Sequence, residues 1–147
     1  MNSLVRRAPI GASIADAGRF FTSYAADRSV TLFALVPVPG MDKRLGATAR
    51  ALLEPLVDEP RCRVRWEHSG LSLAPVEFEG CLWLEPDDHD EERAWLVLDG
   101  EYTWSGGADP LASLVVRRLT GAVARDLLAR VGDFIEAGRA RERAGNL

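Results

Sequence analysis

The chain has 147 residues, 47% of them hydrophobic and 27% charged, with a formal net charge of −4. That length buries a core without disulfides or metals and the composition is that of an ordinary folded protein, so one domain over residues 1–147 is expected. The acidic balance, with basic residues alternating with acidic ones, argues against a nucleic-acid partner, and no apolar run approaches the eighteen or so residues of a membrane helix.

Leu4 to Ala12 reads as a first strand, weakened by Pro9 and Gly11 and therefore placed at a sheet edge. Ser13 follows as the cap of a helix from Ile14 to Ala26, with Asp16 in its first turn and Ala17, Phe20, Phe21 and Tyr24 as its apolar face. Val30 to Val38 is apolar at both parities, the pattern of a strand covered on both faces or set at the mouth of a cavity. Pro37, Pro39 and Gly40 end it. For Met41 to Val57 the spacing of Leu45, Ala49, Leu52, Leu53 and Leu56 predicts a helix over Asp42 to Glu54, with Gly46 and Pro55 as interruptions. A strand is the other reading of this stretch.

After a turn at Asp58 to Pro60, Cys62 to His68 alternates cleanly. Cys62, Val64, Trp66 and His68 take one side, and Arg61, Arg63, Arg65 and Glu67 the other. Val76 to Leu84 repeats this, with Val76, Phe78, Gly80, Leu82 and Leu84 inward. The outward arginines of one strand and glutamates of the next are placed for cross-strand ion pairs, which fix register and make no site. Pro86 to Glu92 is an acidic turn, and Ala94, Leu96, Leu98, Gly100, Tyr102 and Trp104 form the inward face of the last strand.

Ser105, Gly106 and Gly107 turn the chain into a long C-terminal helix. Asp109 caps it and Pro110 occupies its first position at no cost. Leu111, Val115, Leu119, Val123, Leu127, Val131 and Ile135 recur every fourth residue, so a helix reaching about Ala137 has to lie on an apolar surface. Gly121 and Gly132 cost it about 1 kcal/mol each relative to Ala, which close approach to the sheet, or a break near Thr120, would explain. Gly138 to Leu147 is expected to fray. Strands followed by one long covering helix make an α+β fold, a curved antiparallel sheet packed around the C-terminal helix with room for a cavity between.

Four stretches, WEHSG at Trp66 to Gly70, APVEFEGCLWLEP at Ala74 to Pro86, LVLDGEY at Leu96 to Tyr102 and RRLTGAVARDLLARV at Arg117 to Val131, resemble actinobacterial members of the START-like superfamily. This is also called the SRPBCC, or polyketide cyclase/dehydrase and lipid-transport, group. They fall within roughly half of the chain. The resemblance implies a helix-grip fold with an apolar pocket between sheet and helix. The chain departs from that pattern at Thr103 to Gly107, where relatives carry prolines, and at Met41 to Val57, which lacks their tryptophan–proline punctuation. Both departures touch the cavity entrance, so the ligand type is not carried over.

The inward faces nominate Trp66, His68, Phe78, Leu82, Leu98, Tyr102, Trp104, Leu119, Val123 and Leu127 as residues lining a pocket for a small apolar or lipid-like molecule. The alternative is that the same side chains are plain core. His68, close to a strand end, is expected to meet solvent. Arg117 and Arg118 stand where a ligand carboxylate at the cavity mouth would meet them, although solvated helix arginines are commoner.

No metal site is expected. Cys62 and His68 are roughly 20 Å apart at strand rise, Cys81 faces the other side of its strand, and the acidic turn around His89 lacks the glycine and spacing of a calcium loop. Phosphate-loop, dinucleotide and GxSxG signatures are missing, so no cofactor or catalytic residue is assigned. Asp99 and Glu101 project from the outer face of the last strand. Two cysteines are too few for a disulfide framework and the first residues carry no signal-peptide run, so a cytoplasmic protein with free thiols is expected.

Three functions remain. The first is non-catalytic binding of a small hydrophobic molecule. The second is a cyclase, dehydratase or hydrolase using His68 and Tyr102 as acid and base. The third is a structural module, dimerising through Trp83 and Trp95.

Overall fold

The computed structural model describes residues 2–26, 28–56, 60–69, 74–107 and 109–145. The elements are β1 (Asn2–Ile10), α1 (Ile14–Ala25), β2 (Arg28–Pro37), β3 (Arg44–Pro55), β4 (Arg61–Ser69), β5 (Val76–Pro86), β6 (Ala94–Trp104) and α2 (Pro110–Gly145). Asp58, Glu59 and Gly70, and Asn146 and Leu147 at the end of the tail, lie outside the described residues.

All strands pair antiparallel in the order β1-β6-β5-β4-β3-β2, which leaves β1 and β2 as the edges. The sheet curls into a half-barrel and α2 lies along its open side. Its closest main-chain approaches are to the two edge strands, β2 and β1. Asp126 secures one of these contacts, its Oδ2 accepting a hydrogen bond from the Phe33 amide of β2 at 2.8 Å. On the other flank Gly132 is buried against Ile10 of β1, and a Cβ there would lie 3.0 Å from the Ile10 Cδ1.

Both helices start as their sequences dictate. The Ser13 hydroxyl accepts from the Asp16 amide at 3.3 Å, and the Asp109 carboxylate accepts from the Leu111 amide at 3.0 Å, satisfying donors that have no partner inside the first turn. α2 runs 36 residues, to Gly145, with Val115, Leu119, Val123, Leu127, Val131 and Ile135 buried along one stripe. Leu111, the first residue of the expected stripe, is exposed.

The stretch expected to be helical is β3. Leu45, Ala47, Ala49, Ala51 and Leu53 alternate inward while Leu52 is 43% exposed. Pairing with β2 on one side and β4 on the other overrides the helical preference of its alanines and leucines. β2 also departs from expectation. It buries only alternate residues, and Phe33 and Leu35 stand in solvent on its outer side.

A glycine pair lets β5 and β6 approach closely within the curled sheet. Gly80 of β5 faces Gly100 of β6 in register, and a Cβ on either would sit 2.7 Å from the other's Cα. With no side chain there, the two backbones lie close together and the Phe78 ring rests against Gly100. On the outer face, Arg63 pairs with Glu79 and Arg65 with Glu54, exposed ion pairs of little energetic weight.

Candidate functional site

Strand register sets out the inner face. Trp66, Phe78 and Tyr102 form one cross-strand row, with His68, Val76 and Trp104 in the row beside it. The Trp66 and Phe78 rings stack at 3.9 Å between centroids and 13° between planes. Both parities were legible in the alternation.

His68 does not meet solvent. It is 2% exposed, because the end of β4 lies beneath α2. The Trp66 indole N–H donates to His68 Nδ1 at 3.0 Å. An indole nitrogen can only donate, so Nδ1 carries the lone pair and the neutral ring has its proton on Nε2. That nitrogen lies 3.5 Å from Thr120 Oγ1, and the Thr120 hydroxyl donates onward to the Val116 carbonyl at 2.8 Å. Burial pushes the His68 pKa down to about 4. The chain Trp66–His68–Thr120–Val116 therefore links β4 to α2 through neutral groups. Thr120 was not among the expected site residues, although a hydroxyl four residues after Val116 on a buried stripe was a visible signal.

Two clefts open beside this core. One, of about 430 Å³, is the mouth between the end of β6, the start of β1 and the first turns of α2. Tyr102, Trp104, Pro110, Leu114 and Val116 give it apolar walls, and Asn2, Ser113 and Arg117 its polar points. The turn after β6 shapes this mouth. Gly107 takes φ 95°, a left-handed conformation open to glycine, and Gly106 rests against the Trp104 indole. The buried Trp104 Nε1 has no hydrogen-bond partner.

The other cleft is larger, about 730 Å³, and lies on the outer side of the sheet. Its walls are mostly charged, with Arg50, Arg65, Glu67, Glu77, Glu79 and Glu101 around Leu52, Trp66 and Phe78. Glu67 faces Glu77 and Glu79 faces Glu101 in register, so like charges crowd this cleft. The smaller cleft has the lining of a ligand site.

The ten nominated residues divide among these places. Tyr102 and Trp104 line the mouth. Trp66 and Phe78 border the outer trough. Leu82, Leu98, Leu119, Val123 and Leu127, at most 1% exposed, pack with His68 in the core. Asn2, Leu114 and Val116 complete the mouth, and sequence reading had no means to join them because they come from distant parts of the chain. Trp83 and Trp95 are half-buried on the outer face, with Arg61 and Arg7 over their rings at 5.1 and 4.9 Å.

No protein-family model matches the sequence, and no curated protein matches it. Solved structures do match in three dimensions. The Zhui aromatase/cyclase from a Streptomyces species is 15% identical, covers 98% of this chain and 97% of its own, and superposes with a TM-score of 0.51. A conserved protein from Geobacillus kaustophilus is 14% identical over 96% of both chains, with a TM-score of 0.52. A START superfamily protein from Mycobacterium smegmatis is 11% identical, with coverages of 89% and 97% and a TM-score of 0.46.

The chain has a helix-grip fold, shared with the Zhui aromatase/cyclase. The mouth cleft sits beside the first turns of α2, and the His68 chain joins β4 to α2 at Val116, which also lines the mouth. At these identities the likeness is one of fold. Among the described residues no helix is long and apolar enough to cross a membrane.

Proposed function

We propose that this helix-grip chain binds a small apolar molecule at the mouth between β6 and the first turns of α2, and holds it without chemistry. The observation that carries this reading is the mouth itself, where Tyr102, Trp104, Leu114 and Val116 border a space of about 430 Å³ beside three polar side chains. A Streptomyces aromatase/cyclase of the same fold favours a small molecule over a macromolecule as the occupant. The free thiols of Cys62 and Cys81 suit a reducing compartment such as the cytoplasm.

The enzymatic reading is weaker because of what His68 is doing. Its one acceptor nitrogen is taken by Trp66, it lies in the core, and Tyr102 lines the mouth two strands away, about 10 Å across the sheet. A general base needs a free lone pair within reach of its proton, and here that lone pair is occupied.

The test is titration with phenylnaphthylamine, a neutral dye that fluoresces in apolar sites, against the wild type and a Ser113→Trp variant. Ser113 is exposed at the lip of the mouth, so an indole there fills the cleft without entering the core. Binding to the wild type and its loss in the variant are expected. Binding unchanged by the plug would place the dye elsewhere and reject this site.

A further inference from the structure

We infer that the mouth selects apolar molecules carrying an anionic group, and that Arg117, backed by Arg6, is what recognises the anion. The inference rests on the mouth being a binding site.

Arginines elsewhere in the fold are committed to carboxylates: Arg7 to Glu85, Arg19 to Asp16 and Glu142, Arg130 to Asp126, and Arg139 to Glu92. Arg117 lines the mouth, and among the described residues it has no carboxylate partner. Arg6 is placed more unusually. It projects from the inner side of edge strand β1, in the parity shared with Leu4 and Ile10, and is half-buried against α2. Its Nη2 would lie 2.9 Å from a Cβ at Gly121, so the missing side chain at Gly121 is what admits the guanidinium. The hydrogen bond it makes, at 2.8 Å, is to its neighbour's carbonyl, Val5 O, and no acid among the described residues answers it.

Gly121 follows Arg117 by four residues, so Arg6 meets α2 about one helical turn beyond the residue that lines the mouth. The acids nearest in the chain are otherwise engaged. Asp109 caps α2, Asp126 holds the Phe33 amide and Arg130, and Asp99 and Glu101 face outward from β6. In a chain of net charge −4 this flank is cationic and unneutralised. A carboxylate, sulfonate or phosphate on an apolar body would place its charge at Arg117 and its body against Tyr102, Trp104 and Leu114.

Two dyes that differ by one charge test this: anilinonaphthalene sulfonate and its neutral parent phenylnaphthylamine. The wild type is expected to bind the sulfonate about tenfold more tightly, as one charge-assisted contact implies, with the gap shrinking as salt is raised. Arg117→Ala should lower the affinity for the sulfonate far more than that for the neutral dye, so that the gap between the two closes. Arg6→Ala should act in the same direction less strongly, and Arg118→Ala, exposed and outside the cleft lining, should change neither. Equal affinities in the wild type, or an Arg117→Ala loss shared by both dyes, would overturn the anion preference while leaving the cleft as a site. Binding of neither dye, or binding that survives Ser113→Trp, would overturn the site itself.

Discussion

The indole N–H of Trp66 donates to Nδ1 of His68 at 3.0 Å, two residues further along the same face of β4, and so fixes the tautomer of a buried imidazole. Charging His68 would turn this contact into two opposed N–H groups inside the core. Burial lowers its pKa from 6.5 to about 4, so between those values the unfolded chain binds a proton that the folded chain refuses. Stability is therefore complete above pH 6.5 and falls as pH drops through this window, by at most on the order of 3 kcal/mol. Urea unfolding of wild type and His68→Leu across this range is expected to show the extra slope in the wild type alone. Parallel slopes would mean that His68 charges freely in the folded protein. Trp66→Phe, which leaves Nδ1 buried without a donor, is expected to cost about 1–3 kcal/mol.

Asp126 ties α2 to the open edge of the sheet, and the strength of that tie is measurable. Its Oδ2 accepts from the Phe33 amide at 2.8 Å and from Arg130 Nε at 3.1 Å. Phe33 lies on edge strand β2, where an outward amide has no strand beyond it to pair with. Asp126→Ala is expected to destabilise by about 1.5 kcal/mol, the worth of a hydrogen bond to a charged acceptor, and to speed hydrogen exchange at the Phe33 amide. Arg130→Ala should leave that amide protected. Equal loss of protection in both variants would assign the effect to the helix as a whole.

How far the fold could be read depended on whether one period dominated each stretch. The α2 stripe from Val115 to Ile135 and the alternations of β4, β5 and β6 each had a single period, and the structure follows them. In β3, alanine packs equally well in a helix stripe or a strand face, so Leu45, Ala49, Leu52 and Leu53 suggested the wrong period; only pairing with both neighbours decides. Apolar residues at both parities of β2 suggested double coverage, yet Phe33 is 55% exposed. His68 was misjudged for a related reason. Nearness to a strand end says nothing of a helix folded over it from 52 residues away. The inner aromatics of the candidate site were legible by parity, whereas Asn2 and Leu114 join it only through the packing of β1 and α2.

The glycine pair at Gly80 and Gly100 offers a test of what the close approach of β5 and β6 requires. A Cβ at Gly80 would meet the β6 backbone, and one at Gly100 would meet both the β5 backbone and the Phe78 ring. Backbone cannot swing aside as a side-chain tip does, so Gly80→Ala is expected to destabilise by about 1–3 kcal/mol, by the strain of overpacking. Gly18→Ala, with open space around its Cβ on α1, should be neutral or stabilising. Thermal melts of the two variants distinguish steric closure from a general intolerance of lost glycine. Equal effects would mean that the close approach is not what requires glycine there.

The two thiols should behave differently toward an alkylating reagent. Cys62 is fully buried on the inner face of β4, and desolvation there, with the nearby Cys81 adding to it, pushes its pKa up to about 12. Thiolate is the reacting form, so Cys62 is protected both by access and by protonation. Cys81, on the neighbouring strand, is half-buried. With iodoacetamide at pH 8, Cys81 is expected to be modified first, and Cys62 only at the rate at which the protein opens, rising with urea in step with global unfolding. A Cys81→Ser variant isolates the slow site. Rapid labelling of Cys62 in that variant without denaturant would show that the layer beneath β4 opens locally.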